Sequence, residues 1–180
     1  MTKVRVLVVD DAAFMRDIVK KGMRSTYPAF QLDEAAHGKQ AQTMIGKSDY
    51  DLILCDWEMP EMNGAELLQW IRETPEHAHL PFIMITSRGD KENVVEAIKL
   101  KVSNYIVKPF TNEKLINIAT DVMSKAMKLS AKQLQEIGGA RPDKIQSGSV
   151  AILTGGRSEV GGSRAPCRWR KTSPVPGQEV

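Results

Sequence analysis

The sequence predicts an α/β domain, a doubly wound five-stranded parallel sheet with helices on both faces, followed by a tail with no core of its own. Three observations carry this. Five short apolar runs rich in β-branched residues recur before residue 108. Stretches with apolar residues at helical spacing separate them, and such alternation implies a parallel sheet with right-handed crossovers. Beyond residue 139 the pattern gives way to Gly, Pro and basic residues.

Val4–Val9 is the first run, continuous enough for a strand covered on both faces. Residues 13–25 follow at helical spacing, with Phe14, Ile18, Val19 and Met23 near one stripe, until Tyr27-Pro28 breaks the helix. Phe30–Ala35 is a weaker, edge-like strand, and Gly38–Lys47 a helix with Ala41, Met44 and Ile45 inward. The third strand is Asp51–Asp56, and residues 64–73 place Leu67, Leu68 and Ile71 on one helical face. Leu80–Thr86 is the fourth strand, and residues 90–100 form a helix with Val94, Val95, Ile98 and Leu100 on its apolar face. Ser103–Val107 is the fifth, closed by Lys108-Pro109. Thr111 or Asn112 caps a last helix whose apolar positions are Leu115, Ile118, Ala119, Val122, Met123 and Ala126.

These elements set the domain at 1–128. Residues 129–139 read as an extension of the last helix through Leu134 to Ile137, stopped by Gly138-Gly139. Residues 140–180 read as a disordered basic tail with only Val150–Leu153 strand-like, because one apolar cluster cannot offset the entropy of ordering so long a segment. Of the 13 glycines, eight lie from Gly138 onward. Residues 1–129 carry 17 Lys/Arg against 18 Asp/Glu, and residues 130–180 carry 8 against 4, so the net +3 belongs to the tail. The main domain therefore offers no electrostatic reason to bind nucleic acid. Two cysteines, Cys55 and Cys167, make no disulfide framework, and no apolar run approaches the ~20 residues that cross a bilayer. A cytoplasmic protein without membrane insertion is the expectation.

In a parallel sheet of this kind ligands bind beyond the carboxyl ends of the strands. Strand 1 ends at Asp10-Asp11, strand 3 at Asp56, strand 4 at Thr86 and strand 5 at Lys108. Two like charges ~4 Å apart repel by about 4 kcal/mol at an effective dielectric of 20, so three carboxylates there need compensating cations. Lys108 supplies one, and an all-oxygen site of this kind suits Mg²⁺. Asp56 follows DLILC, a buried strand that would hold it rigidly, and is the candidate nucleophile, accepting a phosphoryl group as an aspartyl phosphate. The metal would rest on Asp10 and Asp11. Lys108, Thr86 and the N–H groups of Trp57 and Glu58 would meet phosphoryl oxygens.

VLVVDD, DLILCDWEMPEMNG, PFIMITS and YIVKPF at these intervals resemble the response-regulator receiver domain, and the AAFMRDIVKKGMR helix and DWEMP resemble its chemotaxis members. The resemblance covers residues 1 to about 128. It implies the flavodoxin-like strand order 2-1-3-4-5, a histidine kinase as phosphodonor to Asp56, and Mg²⁺ as a requirement. It implies Thr86 and Tyr105 as a switch pair, a phosphorylation-dependent protein target on the 90–108 face (a flagellar motor switch in the chemotaxis case), and a cis Lys108–Pro109 bond. Such a protein is no enzyme beyond its own phosphorylation and dephosphorylation.

One departure stands out. Glu58 occupies the place where the chemotaxis members often have Asn. Its carbonyl still serves as a metal ligand, while its side chain, with Arg88 as an ion-pair partner, modulates the lifetime of the phosphorylated state. Trp57 and Trp70 read as packing residues, His77 and His79 as an isolated loop pair, and Cys55 as a buried strand residue. The alternatives are a phosphorelay intermediate or a regulator of another pathway, transcription included, that lacks its effector domain. An aspartate-based phosphatase is disfavoured because Asp56 begins DWE and not DxD.

Overall fold

A computed structural model of the chain describes residues 3–87 and 91–139, which lie within one compact unit, Met1–Gln146. Arg88 and the 140–180 tail, including the strand expected at 150–153, lie outside the described residues.

The elements run β1 (Arg5–Val9), α1 (Ala13–Thr26), β2 (Gln31–Ala35), α2 (Gly38–Ile45), β3 (Leu52–Asp56), α3 (Gly64–Glu73), β4 (Phe82–Thr86), α4 (Lys91–Lys99), β5 (Asn104–Val107), α5 (Asn112–Met127) and α6 (Ala131–Ile137). The strands form one sheet in the order β2-β1-β3-β4-β5, every pair parallel. Strand order and fold class are as the sequence predicts.

Because side chains alternate across a strand, each apolar run feeds two cores. Val6, Val8, Leu52, Leu54, Ile83, Ile85 and Ile106 face α1 and α5 on one side. Leu7, Val9, Ile53, Cys55, Phe82 and Met84 face α2 and α3 on the other. Continuous apolar strands are thus the consequence of a sheet covered on both faces. Arg72 locks one corner: its guanidinium donates to the Ala78, Leu80 and Lys101 carbonyls at 2.9–3.1 Å.

Three expectations about burial are corrected. Phe14 is 74% exposed, because the first turn of α1 stands beyond the strand ends with no sheet beneath it; the buried stripe begins at Val19. Among the described side chains of α4 the buried residue is Ala97, while Val95 and Ile98 are 48% and 62% exposed. That helix lies at the sheet margin, where β5 is the edge strand, and one narrow contact suffices. Ala126 on α5 is likewise exposed.

The C-terminal part is a larger correction. The last helix does not extend to Ile137. α5 ends where Lys128 turns left-handed at φ 54°, a stop made by lysine and not by the glycine that usually signals one. Ser130 then caps a separate α6, its side chain accepting from the Gln133 N–H while Gln133 reaches back to the Ser130 N–H. α6 folds back on the molecule. Leu134 is fully buried in the α1/α5 core, and the Gly138 carbonyl accepts the Ala29 N–H at 2.9 Å. A Cβ on Gly138 would strike the Tyr27 ring and come within 3.2 Å of Phe30, so glycine is what permits this close approach. Tyr27 stacks on Phe30 at 4.6 Å and its hydroxyl meets that of Thr120.

Helix α6 is therefore part of the core. Leu134→Ala is expected to cost about 2–5 kcal/mol, the usual loss for a buried Leu truncated in a packed site. Urea denaturation of the two proteins measures it, and an unchanged midpoint would mean that α6 is dispensable.

Candidate functional site

Parallel strands deliver their carboxyl ends to one side, and the residues there are those the sequence singles out. Asp10 follows β1, Asp56 and Thr86 are the last residues of β3 and β4, and Lys108 follows β5. All three of Asp10, Asp56 and Thr86 are buried, at 5%, 6% and 3% exposure; Asp11 is exposed at the rim.

The contacts between them are direct. The Lys108 ammonium donates to Asp56 Oδ1 at 2.8 Å and to Asp10 Oδ2 at 3.1 Å. The other Asp10 oxygen accepts the Ala12 N–H at 2.8 Å. Arg16 reaches back to the Asp10 and Asp11 carbonyls at 2.7 and 3.3 Å, tying α1 to the acidic turn. Asp10, Asp11 and Asp56 each bring a carboxylate oxygen within 4.8 Å of the others. Three carboxylates face one ammonium, and their hard oxygens are the donor set of a divalent cation such as Mg²⁺ or Ca²⁺.

Burial pushes the Asp56 carboxyl above its ordinary range; the Lys108 contact opposes this and the Asp10 charge adds to it. Burial alone would lower Lys108, but bonding to Asp56 and Asp10 outweighs it and raises the ammonium above its usual value. Lys108 therefore stays charged. Cys55 is fully buried, its thiol pushed well up by desolvation and turned to the Asp56 carbonyl at 3.1 Å, so it is the strand residue expected.

The remaining predicted residues fall around this centre. Tyr105 on β5 is half-buried against the α2/α3 core. Glu58 is exposed at the mouth and accepts the Ser87 hydroxyl at 3.2 Å; Arg88, its expected ion-pair partner, lies outside the described residues. Trp57 is a packing residue, 9% exposed. Its N–H, expected to meet a phosphoryl oxygen, continues the ladder to the Ile85 carbonyl at 3.1 Å. The Lys108–Pro109 bond is cis. A groove of about 370 Å³ opens beside the cluster, lined by Asp11, Trp57, Glu58, Met59, Pro60 and Asn63. A larger one, about 720 Å³, lies between α6 and Lys3-Val4, at the wrong end of the strands for this chemistry.

Four supporting residues, Asn63, Gly64, Glu66 and Ser87, escaped the sequence reading. The Gly64 N–H donates to the Trp57 carbonyl at 2.9 Å, and a Cβ there would collide with the Asp56 carbonyl. Asn63 and Glu66 form a capping box on α3, so the Asn-Gly pair in EMNGAE was the available signal. Ser87 carried no signal beyond its place after Thr86.

A five-stranded 2-1-3-4-5 sheet with this set of strand-end residues defines a receiver domain, and a family model described as the response regulator receiver domain matches residues 6–120. The chain belongs to that family. Within it the chain is CheY-like. It is 41% identical over 120 residues to a chemotaxis protein CheY homolog of Campylobacter jejuni, covering 66% of this chain and 92% of that protein. It is 44% identical over 108 residues to the chemotaxis protein CheY-3 of Vibrio cholerae, covering 59% and 82%. The solved structure of chemotaxis response regulator CheY4 of Vibrio cholerae matches with a TM-score of 0.62 at 28% identity, over 67% of this chain and 99% of that one.

The raised Asp56 has a consequence for stability. A carboxyl whose folded value lies above its unfolded one stabilises the fold below the unfolded value and loses that contribution as pH rises through the folded one. Asp56→Asn should accordingly be more resistant to denaturant than the parent at neutral pH, with the gap closing in acid. Equilibrium unfolding at neutral and acidic pH checks this; a less stable variant at neutral pH would contradict it.

Proposed function

We propose that this chain acts as a response regulator of a two-component system, phosphorylated on Asp56 by the phosphohistidine of a histidine kinase, and that it signals by protein docking in chemotaxis. The observation that carries the reading is the pairing of buried Asp56 with Lys108 at 2.8 Å inside the Asp10–Asp11–Asp56 cluster.

An Asp56 oxygen attacks the phosphorus, the P–N bond to histidine breaks, and the electron pair leaves with the imidazole. Lys108, already oriented, takes up the charge of a phosphoryl oxygen, and the Thr86 hydroxyl at the end of the neighbouring strand meets another. Mg²⁺ held by Asp10, Asp11, Asp56 and the Glu58 carbonyl would neutralise the charge gathered there. The burial that raises Asp56 also excludes bulk water, which strengthens each of these contacts.

Output follows from Thr86 and Tyr105. With Thr86 drawn to the phosphoryl group, the half-buried Tyr105 ring turns inward and the 90–108 face changes shape. Val95 and Ile98, large apolar residues left exposed on α4, give that face something for a target to cover. The names of the relatives support chemotaxis, and a flagellar motor switch is the target we propose on that reading. Among the described residues no helix is long and apolar enough to cross a membrane. The reaction is confined to the protein's own phosphorylation and dephosphorylation.

Acetyl phosphate with Mg²⁺ should add one phosphoryl group per chain by intact mass, and Asp56→Asn should take up none. Full labelling of that variant would defeat the assignment. Trp57, next to Asp56, should change its fluorescence as Mg²⁺ is titrated, and Asp11→Asn should weaken the midpoint by at least about tenfold, the loss that even an outer-shell partner causes. An identical midpoint would remove Asp11 from the metal site.

A further inference from the structure

Arg16, near the start of α1, lies between the acidic turn after β1 and the end of β2. Its Nη1 donates to the Asp10 carbonyl at 2.7 Å and to the Asp11 carbonyl at 3.3 Å. Its Nε faces Glu34 Oε2 on β2 at 3.5 Å, and the Arg16 side chain is 15% exposed. The same Glu34 oxygen accepts the Lys20 ammonium from the next turn of α1, and Lys20 also pairs with Asp17 at 3.2 Å. The two strand ends are joined as well: Val9 lies opposite Ala35, and the Asp10 N–H donates to the Ala35 carbonyl at 3.2 Å.

We infer that Arg16 is a positioning residue that sets the affinity of the acidic cluster for a divalent cation, by fixing the backbone from which Asp10 and Asp11 project, and that Glu34 acts through it. This rests on Asp10, Asp11 and Asp56 as the metal site and goes beyond it by naming what holds the outermost ligand. Asp10 is held by its carboxylate, which meets Lys108 and the Ala12 N–H. Asp11 is exposed, and among the described residues the hydrogen bond that ties it to α1 is the one from Arg16 to its carbonyl. A rim carboxylate on a loose turn loses backbone and rotamer freedom when a cation orders it. A turn already fixed loses less, so the cation binds more tightly. The role needs a guanidinium. Its planar fork meets two carbonyls with one nitrogen while another faces Glu34, a span that the point charge of a lysine ammonium does not cover.

Charge and position predict opposite outcomes. A cation beside the site repels Mg²⁺. If Arg16 acted by charge alone, Arg16→Gln would tighten Mg²⁺ binding and Arg16→Lys would leave it at the parental value. Positioning predicts weaker binding in both.

The test titrates the full chain with Mg²⁺ and no phosphodonor. It reads Trp57 fluorescence and, independently, the rise in urea midpoint that a bound cation gives. Arg16→Lys and Arg16→Gln should each raise the Mg²⁺ midpoint about tenfold, the lower end of what outer-shell partners contribute. Arg16→Lys keeps the charge and the buried stem, and carries the test if Arg16→Gln does not fold. Glu34→Gln should shift the midpoint in the same direction and add nothing in the Arg16→Lys background. Lys20→Met breaks the neighbouring ion pair to the same Glu34 oxygen; it should lower stability without Mg²⁺ and leave the Mg²⁺ midpoint at the parental value. A merely structural role would make Lys20→Met and Arg16→Lys behave alike. A parental midpoint in Arg16→Lys, tighter binding in Arg16→Gln, or independent effects of Arg16 and Glu34 would overturn the inference while leaving the acidic cluster as the metal site. A parent that responds to Mg²⁺ in neither readout would overturn both.

Discussion

Two buried carboxylates, Asp10 and Asp56, share one ammonium, Lys108, with the exposed Asp11 close by. The rest of the fold exists around that imbalance. Like charges this close repel by about 4 kcal/mol at 4 Å and an effective dielectric of 20. Left to themselves they would separate into water. They stay because each is the terminal residue of, or next to, a strand whose other side chains are buried in one of two cores. The unfavourable cluster is held by apolar burial that it does not itself contribute.

The site is accordingly short of positive charge by construction, and that shortage is its chemistry. Burial disfavours the bare charge on Asp56, and a divalent cation beside it would offset that cost. Lys108 is positioned to keep Asp56 aimed without satisfying the whole cluster. Gly64 contributes on the opposite side: by lacking a side chain it lets the loop after β3 turn immediately over the Asp56 carbonyl, so the carboxylate sits at a fixed floor with an open mouth.

Most of this was legible in the chain because it depends on period and position. Continuous runs such as DLILCD read as doubly covered strands, and the residues at their ends followed without knowledge of the contacts. Side chains whose burial depends on where an element overhangs its neighbours were not legible. Phe14 matches the period of α1 yet projects past the sheet, and Val95 and Ile98 match that of α4 yet face outward at its margin. The stop at Lys128 was hidden for a different reason. A left-handed lysine carries no compositional mark, and only the Ser130–Gln133 capping box in LSAKQ announced a new helix. The Ser87–Glu58 bond depends on two loops meeting, which sequence spacing does not encode.

The molecule thus divides its labour between the two ends of the strands. At the amino-terminal end α6, Tyr27 and Phe30 close the core with stacked rings, a buried Leu134 and a glycine contact that tolerates no side chain. At the carboxyl end charges are gathered, an exposed hydrogen bond joins Ser87 to Glu58, and among the described side chains of α4 Ala97 is the buried one. A change in charge at Asp56 therefore falls at the opposite end of the strands from the packing around Tyr27, Phe30 and Leu134.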